Sequence, residues 1–314
     1  SAPGLFGADL VLTARVLGVV GMSAAVAAVI WEAHRRPGTH GVNAVAREQV
    51  AGMAQEQVAG VTRADDGARA GWPSAVVAAL TLALASPIAV WTIGGLEQPM
   101  LAALLAWAIV LCGPLLERPR VSAARVLAPS LLFALTCLTR PDGVIFTAAA
   151  AAAILFLQGW SRTARRTIAL LVSLPALFYA GQLVFRLAYY GEWVPNTALV
   201  KITPSLHHLA GGGRYLLDGL LVLTPLSWLA LFFLLVGLFI RSERRWLLFL
   251  LALGGAWAGY VVFIGGDGFV AWRHGIPLVL LMALVLARGT TWLRRYARDA
   301  GWKGACILSV ACLF

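Results

Sequence analysis

Long apolar runs, broken by short polar stretches, dominate the chain. A helix needs about 17–25 mostly apolar residues to cross a bilayer. Runs of that kind fall near 10–31, 74–91, 99–116, 124–139, 143–159, 167–187, 216–240, 246–264 and 275–291, and a tenth begins near 303. Backbone N–H and C=O groups find no water inside lipid, so such runs are expected to be helices. The pattern predicts an all-α, polytopic transmembrane helix bundle of about nine spans plus a truncated tenth. The whole of 1–314 reads as one transmembrane domain, with a polar insert at 32–73 and a long loop at 188–215.

Composition sharpens this reading. Hydrophobic residues make up 60% of the 314 positions and charged residues 12%, where a soluble domain carries about 25% charged residues. A soluble enzyme, a disordered chain and a secreted disulfide scaffold are excluded. The four cysteines, Cys112, Cys137, Cys306 and Cys312, are scattered along apolar runs without metal-ligand spacing. They read as small buried hydrophobes, and no metal site is expected. The chain begins at Ser1 with no basic signal region and stops inside the apolar run CILSVACLF. It is therefore expected to be a piece of a longer protein.

Net charge is +11, and its placement decides its meaning. The segments 32–73, 117–125, 160–166, 241–245 and 288–303 hold nineteen of the 25 basic residues and eight of the 14 acids. The remaining residues are neutral in sum. Each basic segment is separated from the next by two apolar runs, as the positive-inside rule requires. The excess is thus an orientation signal with affinity for anionic membrane lipids, not a nucleic-acid surface. Within 32–73, EQVAG occurs at 48–52 and again at 56–60, which reads as a surface helix or a tolerated insert.

On this topology four polar stretches share the outer face: GGLEQP (94–99), LTRPDG (138–143), YYGEWVPNTALVK (189–201) and GGDGFVAWRH (265–274). Ionisable residues gathered at span ends on one side point to a site at the membrane–water boundary. Glu97 either sits favourably near a helix N-terminus or belongs to the site. Arg140 and Asp142 flank Pro141 in a tight turn, where they pair with each other or Arg140 faces an anionic headgroup. Tyr189, Tyr190 and Trp193 mark the interface or stack on a sugar face. Asn196 sits in a turn, and the glycines at 211–213 predict a hinge or helix break. Lys201, the sole lysine before residue 303, suits a phosphate contact. Asp267 lies among glycines, and Arg273 with His274 opens the next span, where a bound anion or an internal Asp–Arg pair offsets an unfavourable dipole. Four acids, several cations and aromatics suit a substrate that joins a phosphate to a polyol.

The motifs GLExP, TRPxG, YYGxxxPNTxxxK and GGDxFxxxR, in this order at span ends, resemble the GT-C superfamily of membrane glycosyltransferases. The chain looks most like the terminal β-(1→2) arabinofuranosyltransferases of actinobacterial cell walls, over about residues 10–290. The resemblance implies a GT-C-like bundle in a bacterial plasma membrane. It implies transfer of a sugar from a polyprenyl-phosphate donor to a glycan acceptor on the extracytoplasmic face. The donor is a co-substrate, and no other cofactor is implied. Roles expected from residue chemistry are donor-phosphate binding by Arg140, Lys201, Arg273 and His274, and sugar or acceptor contacts from Glu97, Asp142, Tyr190, Trp193 and Asn196. Asp267 is the expected catalytic carboxylate in this chain. The resemblance also implies an acidic motif in a first outer loop, which would lie upstream of Ser1. A transporter or lipid-carrier flippase, and a non-catalytic assembly protein, are the competing readings.

Overall fold

The structure is a computed structural model and describes residues 9–35, 72–117, 121–193 and 205–299. Among these residues the chain is helical, with no strands. The helices are α1 (Leu10–Arg35), α2 (Trp72–Leu84), α3 (Ser86–Thr92), α4 (Gln98–Glu117), α5 (Ala123–Thr139) and α6 (Val144–Gln158). They continue as α7 (Arg162–Tyr190), α8 (Leu206–Val222), α9 (Leu226–Phe239), α10 (Arg241–Phe263) and α11 (Ile276–Asp299). Several hydroxyls inside these apolar helices bond to their own helix, as when Thr136 and Thr139 donate to the carbonyls of Leu132 and Leu135.

Among the described residues six helices are long and apolar enough to cross a membrane, or eight if each of two bent pairs is one crossing. The protein is a multi-pass membrane protein, and the nine expected runs all fall on helices, though three of them are bent or short. The run 74–91 is not one straight helix: α2 and α3 meet at 67° around Ala85 and Ser86, ahead of Pro87. The run 216–240 breaks at 223–225, where α8 and α9 meet at 99° beside Pro225. Proline removes a helix donor and clashes with the preceding turn, which favours a break at these places. Helix α5 has only 17 residues, about 26 Å at 1.5 Å per residue, a little short of the hydrocarbon core, and α6 reaches 18 residues only with the turn Pro141–Gly143 in front of it. The tenth run and the EQVAG repeat lie outside the described residues.

The loop expected at 188–215 is also shorter than the sequence suggested. Tyr189 and Tyr190 finish α7, which ends at Gly191 in the left-handed region (φ +72°). Residues 206–215 belong to α8, capped by the Ser205 hydroxyl, which accepts from the His208 N–H at 3.1 Å. The glycines at 211–213 do not break the helix. A Cβ at Gly212 would lie 2.5 Å from the Val262 carbonyl, so glycine here lets α8 press against α10.

Long-range contacts sort the chain into two ends. At one end the Gln158 amide donates to the Leu115 carbonyl, Ser74 and Thr291 share a 2.7 Å hydroxyl contact, and Arg288 pairs with Glu243 at 2.8 Å. This end carries the described parts of the basic segments. At the other end the segments 91–99, 139–143, 205–215 and 260–275 meet. Helices α4 and α11 form the centre of the bundle, with 72% of their apolar windows buried. Helix α7 is peripheral, with 11% buried. Its flank of Leu177, Val184 and Phe185 faces outward, as lipid contact requires.

Candidate functional site

The turn between α5 and α6 builds the first half of the site. The Arg140 N–H closes on the Thr136 carbonyl and the Gly143 N–H on the Arg140 carbonyl, both at 2.9 Å. A Cβ at Gly143 would come within 2.7 Å of the Thr136 oxygen, so the reversal requires glycine. Pro141 opens the short 3₁₀ turn that carries Asp142. Held this way, Arg140 donates from Nε to Asp142 Oδ1 at 2.9 Å and from Nη2 to Asp142 Oδ2 at 2.5 Å. Its Nη1 reaches Glu97 Oε1 at 2.8 Å, and Tyr260 of α10 donates to Asp142 Oδ2 at 3.1 Å. Burial alone would weaken the charged form of Arg140. The hydrogen bond and charge of Asp142, with the charge of Glu97, more than reverse this, so its pKa lies above the ordinary arginine value. Three of its five N–H donors are used in these bonds.

The second half lies on the strap Ile264–Gly275. Asp267 Oδ2 accepts from Arg273 Nε at 2.8 Å and lies 3.5 Å from His274 Nε2. The Arg273 guanidinium covers Phe269 at 4.3 Å and reaches Trp91 at 5.9 Å. The His274 ring is 2% exposed, and neither ring nitrogen has a hydrogen-bond partner among the described residues. The Tyr215 hydroxyl accepts from the His274 N–H at 3.2 Å, while the Trp257 indole donates to the His274 carbonyl at 2.7 Å.

The structure brings together Glu97, Arg140, Asp142, Asp267, Arg273 and His274 among the residues singled out in the sequence. Both arginines are paired inside the protein, the alternative that sequence left open beside an anion contact. Access differs among the carboxylates: Glu97 is 32% exposed, Asp142 9% and Asp267 2%. Tyr190 and Trp193 are exposed, and Tyr190 meets Tyr189 edge-to-face and lies under the Arg186 guanidinium rather than on the paired groups. Lys201 and Asn196 lie outside the described residues. Sequence reasoning missed Tyr215, the last residue of the expected outer loop, and Tyr260, which sits inside an apolar run and reads as a span residue. It also missed Trp91 and Trp257, whose indoles hold the strap. Among the described residues no three His, Cys, Asp or Glu side chains meet as metal ligands.

An apolar groove of about 360 Å³ opens between α8, α9, α10 and α11. Leu216 follows Tyr215 on α8, and Ala258 lies about 3 Å along α10 from Tyr260 but on another face, so the groove extends to nearly the depth of the paired groups without opening onto them. Leu251, Gly254, Gly255 and Ala258 fall on one face of α10 and keep its floor low. Glu97, Arg140 and Asp267 do not line it.

No protein-family model, no curated protein and no solved structure matches the chain.

Proposed function

We propose that this chain is the membrane part of a glycosyltransferase that moves a sugar from a polyprenyl phosphate to a glycan hydroxyl on the extracytoplasmic face. One observation carries the reading: a cluster of paired arginines and carboxylates lies at the end of the bundle toward which an all-but-apolar groove extends. That juxtaposition suits an anionic head joined to an isoprenoid tail. The motif resemblance to GT-C enzymes supports the same chemistry.

In this mechanism Arg273 holds the donor phosphate. Its Nε is docked on Asp267, so its two amino groups point the same charge at a ligand from a fixed base. Arg140 contributes its remaining donors, and Lys201 adds a third cation. The acceptor oxygen attacks the anomeric carbon, the carbon–oxygen bond to phosphate breaks, and its electron pair leaves with the polyprenyl phosphate. Fixed cations stabilise that developing charge without reorganisation. The hydroxyl proton passes to a carboxylate. Glu97 is the most open of the clustered acids and suits this transfer better than the buried Asp267, whose role becomes the orientation of Arg273. Tyr190 and Trp193 offer stacking faces to the acceptor glycan.

The test is transfer from a radiolabelled polyprenyl-phosphate sugar by the purified full-length protein. Arg273→Ala combined with Lys201→Ala is expected to abolish transfer, and unchanged turnover overturns the reading. The two bent helix pairs favour a second reading, a lipid-carrier flippase, because broken helices are common where transporters bind substrate. Movement of labelled polyprenyl phosphate between leaflets of proteoliposomes, without sugar transfer, would select it.

A further inference from the structure

The strap Ile264–Gly275 is held by aromatic rings on all sides. It leaves α10 through Gly265 and Gly266, both left-handed (φ +74° and +83°). A Cβ on these glycines would fall 2.4 Å from the His208 ring and 2.8 Å from Tyr215. Trp91, carried on α3, donates to the Ala271 carbonyl at 3.1 Å. Trp257 holds the His274 carbonyl from below. Between these two anchors the backbone does something unusual. Ala271 and Trp272 are consecutive left-handed residues that are not glycine, at φ +57° and +47°. That region crowds the Cβ of an L-residue, most of all beneath a bulky side chain.

The Trp272 indole is buried in a slot made by two glycines. A Cβ on Gly219 of α8, or on Gly275, would each lie 2.0 Å from an indole atom. Its Nε1 has no hydrogen-bond partner among the described residues. A strained backbone and an unsatisfied buried donor thus fall on the residue immediately before Arg273 and His274. Glycine at this position would remove both costs, yet it would leave the slot empty and the strap loose.

We infer that Trp272 is a positioning residue: wedged between Gly219 and Gly275, it fixes the strap so that Arg273 meets Asp267 and presents its amino groups to an anionic lipid head. The inference rests on the phosphate role given to Arg273 above. It extends that role to Trp272, Gly219 and Gly275, none of which carries a charge.

The experiment compares decaprenyl phosphate with decaprenol, which has the same tail and no charge, binding to the full chain in nanodiscs. Wild type is expected to prefer the phosphate at least tenfold. Trp272→Ala is expected to bring that ratio near unity with decaprenol affinity unchanged, and Trp272→Phe to restore most of it. Gly219→Ala is expected to reproduce the loss alone and to add nothing in the Trp272→Ala background, because the slot is then vacant. A wild-type ratio in Trp272→Ala, parallel loss of decaprenol binding, or full additivity with Gly219→Ala overturns the inference. A wild type without phosphate preference overturns the role of Arg273 instead. Hydrogen exchange over residues 264–275 then decides the positioning role: exchange at least tenfold faster in Trp272→Ala supports it, and an unchanged rate overturns it.

Discussion

Buried ion pairs occur at both ends of this bundle, and they are built differently. At the basic end Glu243, in the first turn of α10, and Arg288, within α11, meet at 2.8 Å across the α10–α11 contact. At the cluster end two pairs are close in sequence and carried by turns, Arg140 with Asp142 and Asp267 with Arg273, while Arg140 also reaches Glu97 across 43 residues. A pair that joins two long helices is a staple, since neither can shift far without the other. A pair inside a turn holds little of the bundle together; it aims a guanidinium. The first kind is expected to serve stability and the second to serve binding.

The largest expected effect that separates them is Glu243→Ala. It leaves the buried Arg288 charge without this carboxylate and is expected to cost about 3 kcal/mol of stability, read by equilibrium unfolding in mixed micelles. The double change Glu243→Leu with Arg288→Met is expected to regain most of that, as apolar replacements of buried pairs often do. Arg140→Ala is next. Transfer is expected to fall about a hundredfold, equivalent to about 2.7 kcal/mol in the barrier, with a smaller change in unfolding than Glu243→Ala gives. If the two variants lose stability alike, the contrast between staple and aimed pair fails. Gly255→Leu fills the groove without touching a charged group. It is expected to weaken polyprenyl-phosphate binding about tenfold, or about 1.4 kcal/mol. The smallest effect is Tyr260→Phe, which removes the hydroxyl donor to Asp142; about 1 kcal/mol is expected, seen as a severalfold lower kcat at similar KM.

Much of this arrangement was legible in the sequence, and the reasons are local. The apolar runs announce helices because lipid leaves the backbone no other partner. The turn Arg140-Pro141-Asp142-Gly143 announces its own reversal, and the close spacing of Arg140 and Asp142 makes their pairing readable. Contacts between distant segments were not legible in this way. Glu97 lies 43 residues from Arg140, and nothing near either one names the other. Glu243 sits in a basic segment that looked like a plain linker. The breaks in α2–α3 and α8–α9 were hidden for another reason: an apolar run is measured by length and hydropathy, and neither quantity registers a change of direction. The glycines at 211–213 misled for the converse reason. Their lack of a side chain serves a close helix contact as readily as a hinge, and only the neighbour at Val262 decides.

The corner between α8 and α9 has a consequence for traffic. Leu217, Leu221, Trp228 and Leu231 along the groove wall are all well exposed on the flank of the bundle, where hydrocarbon replaces water. A guest of this groove enters sideways from the membrane, after diffusing in two dimensions. Its occupancy therefore follows its mole fraction among the surrounding lipids, and diluting the aqueous phase at a fixed lipid ratio should leave saturation where it was.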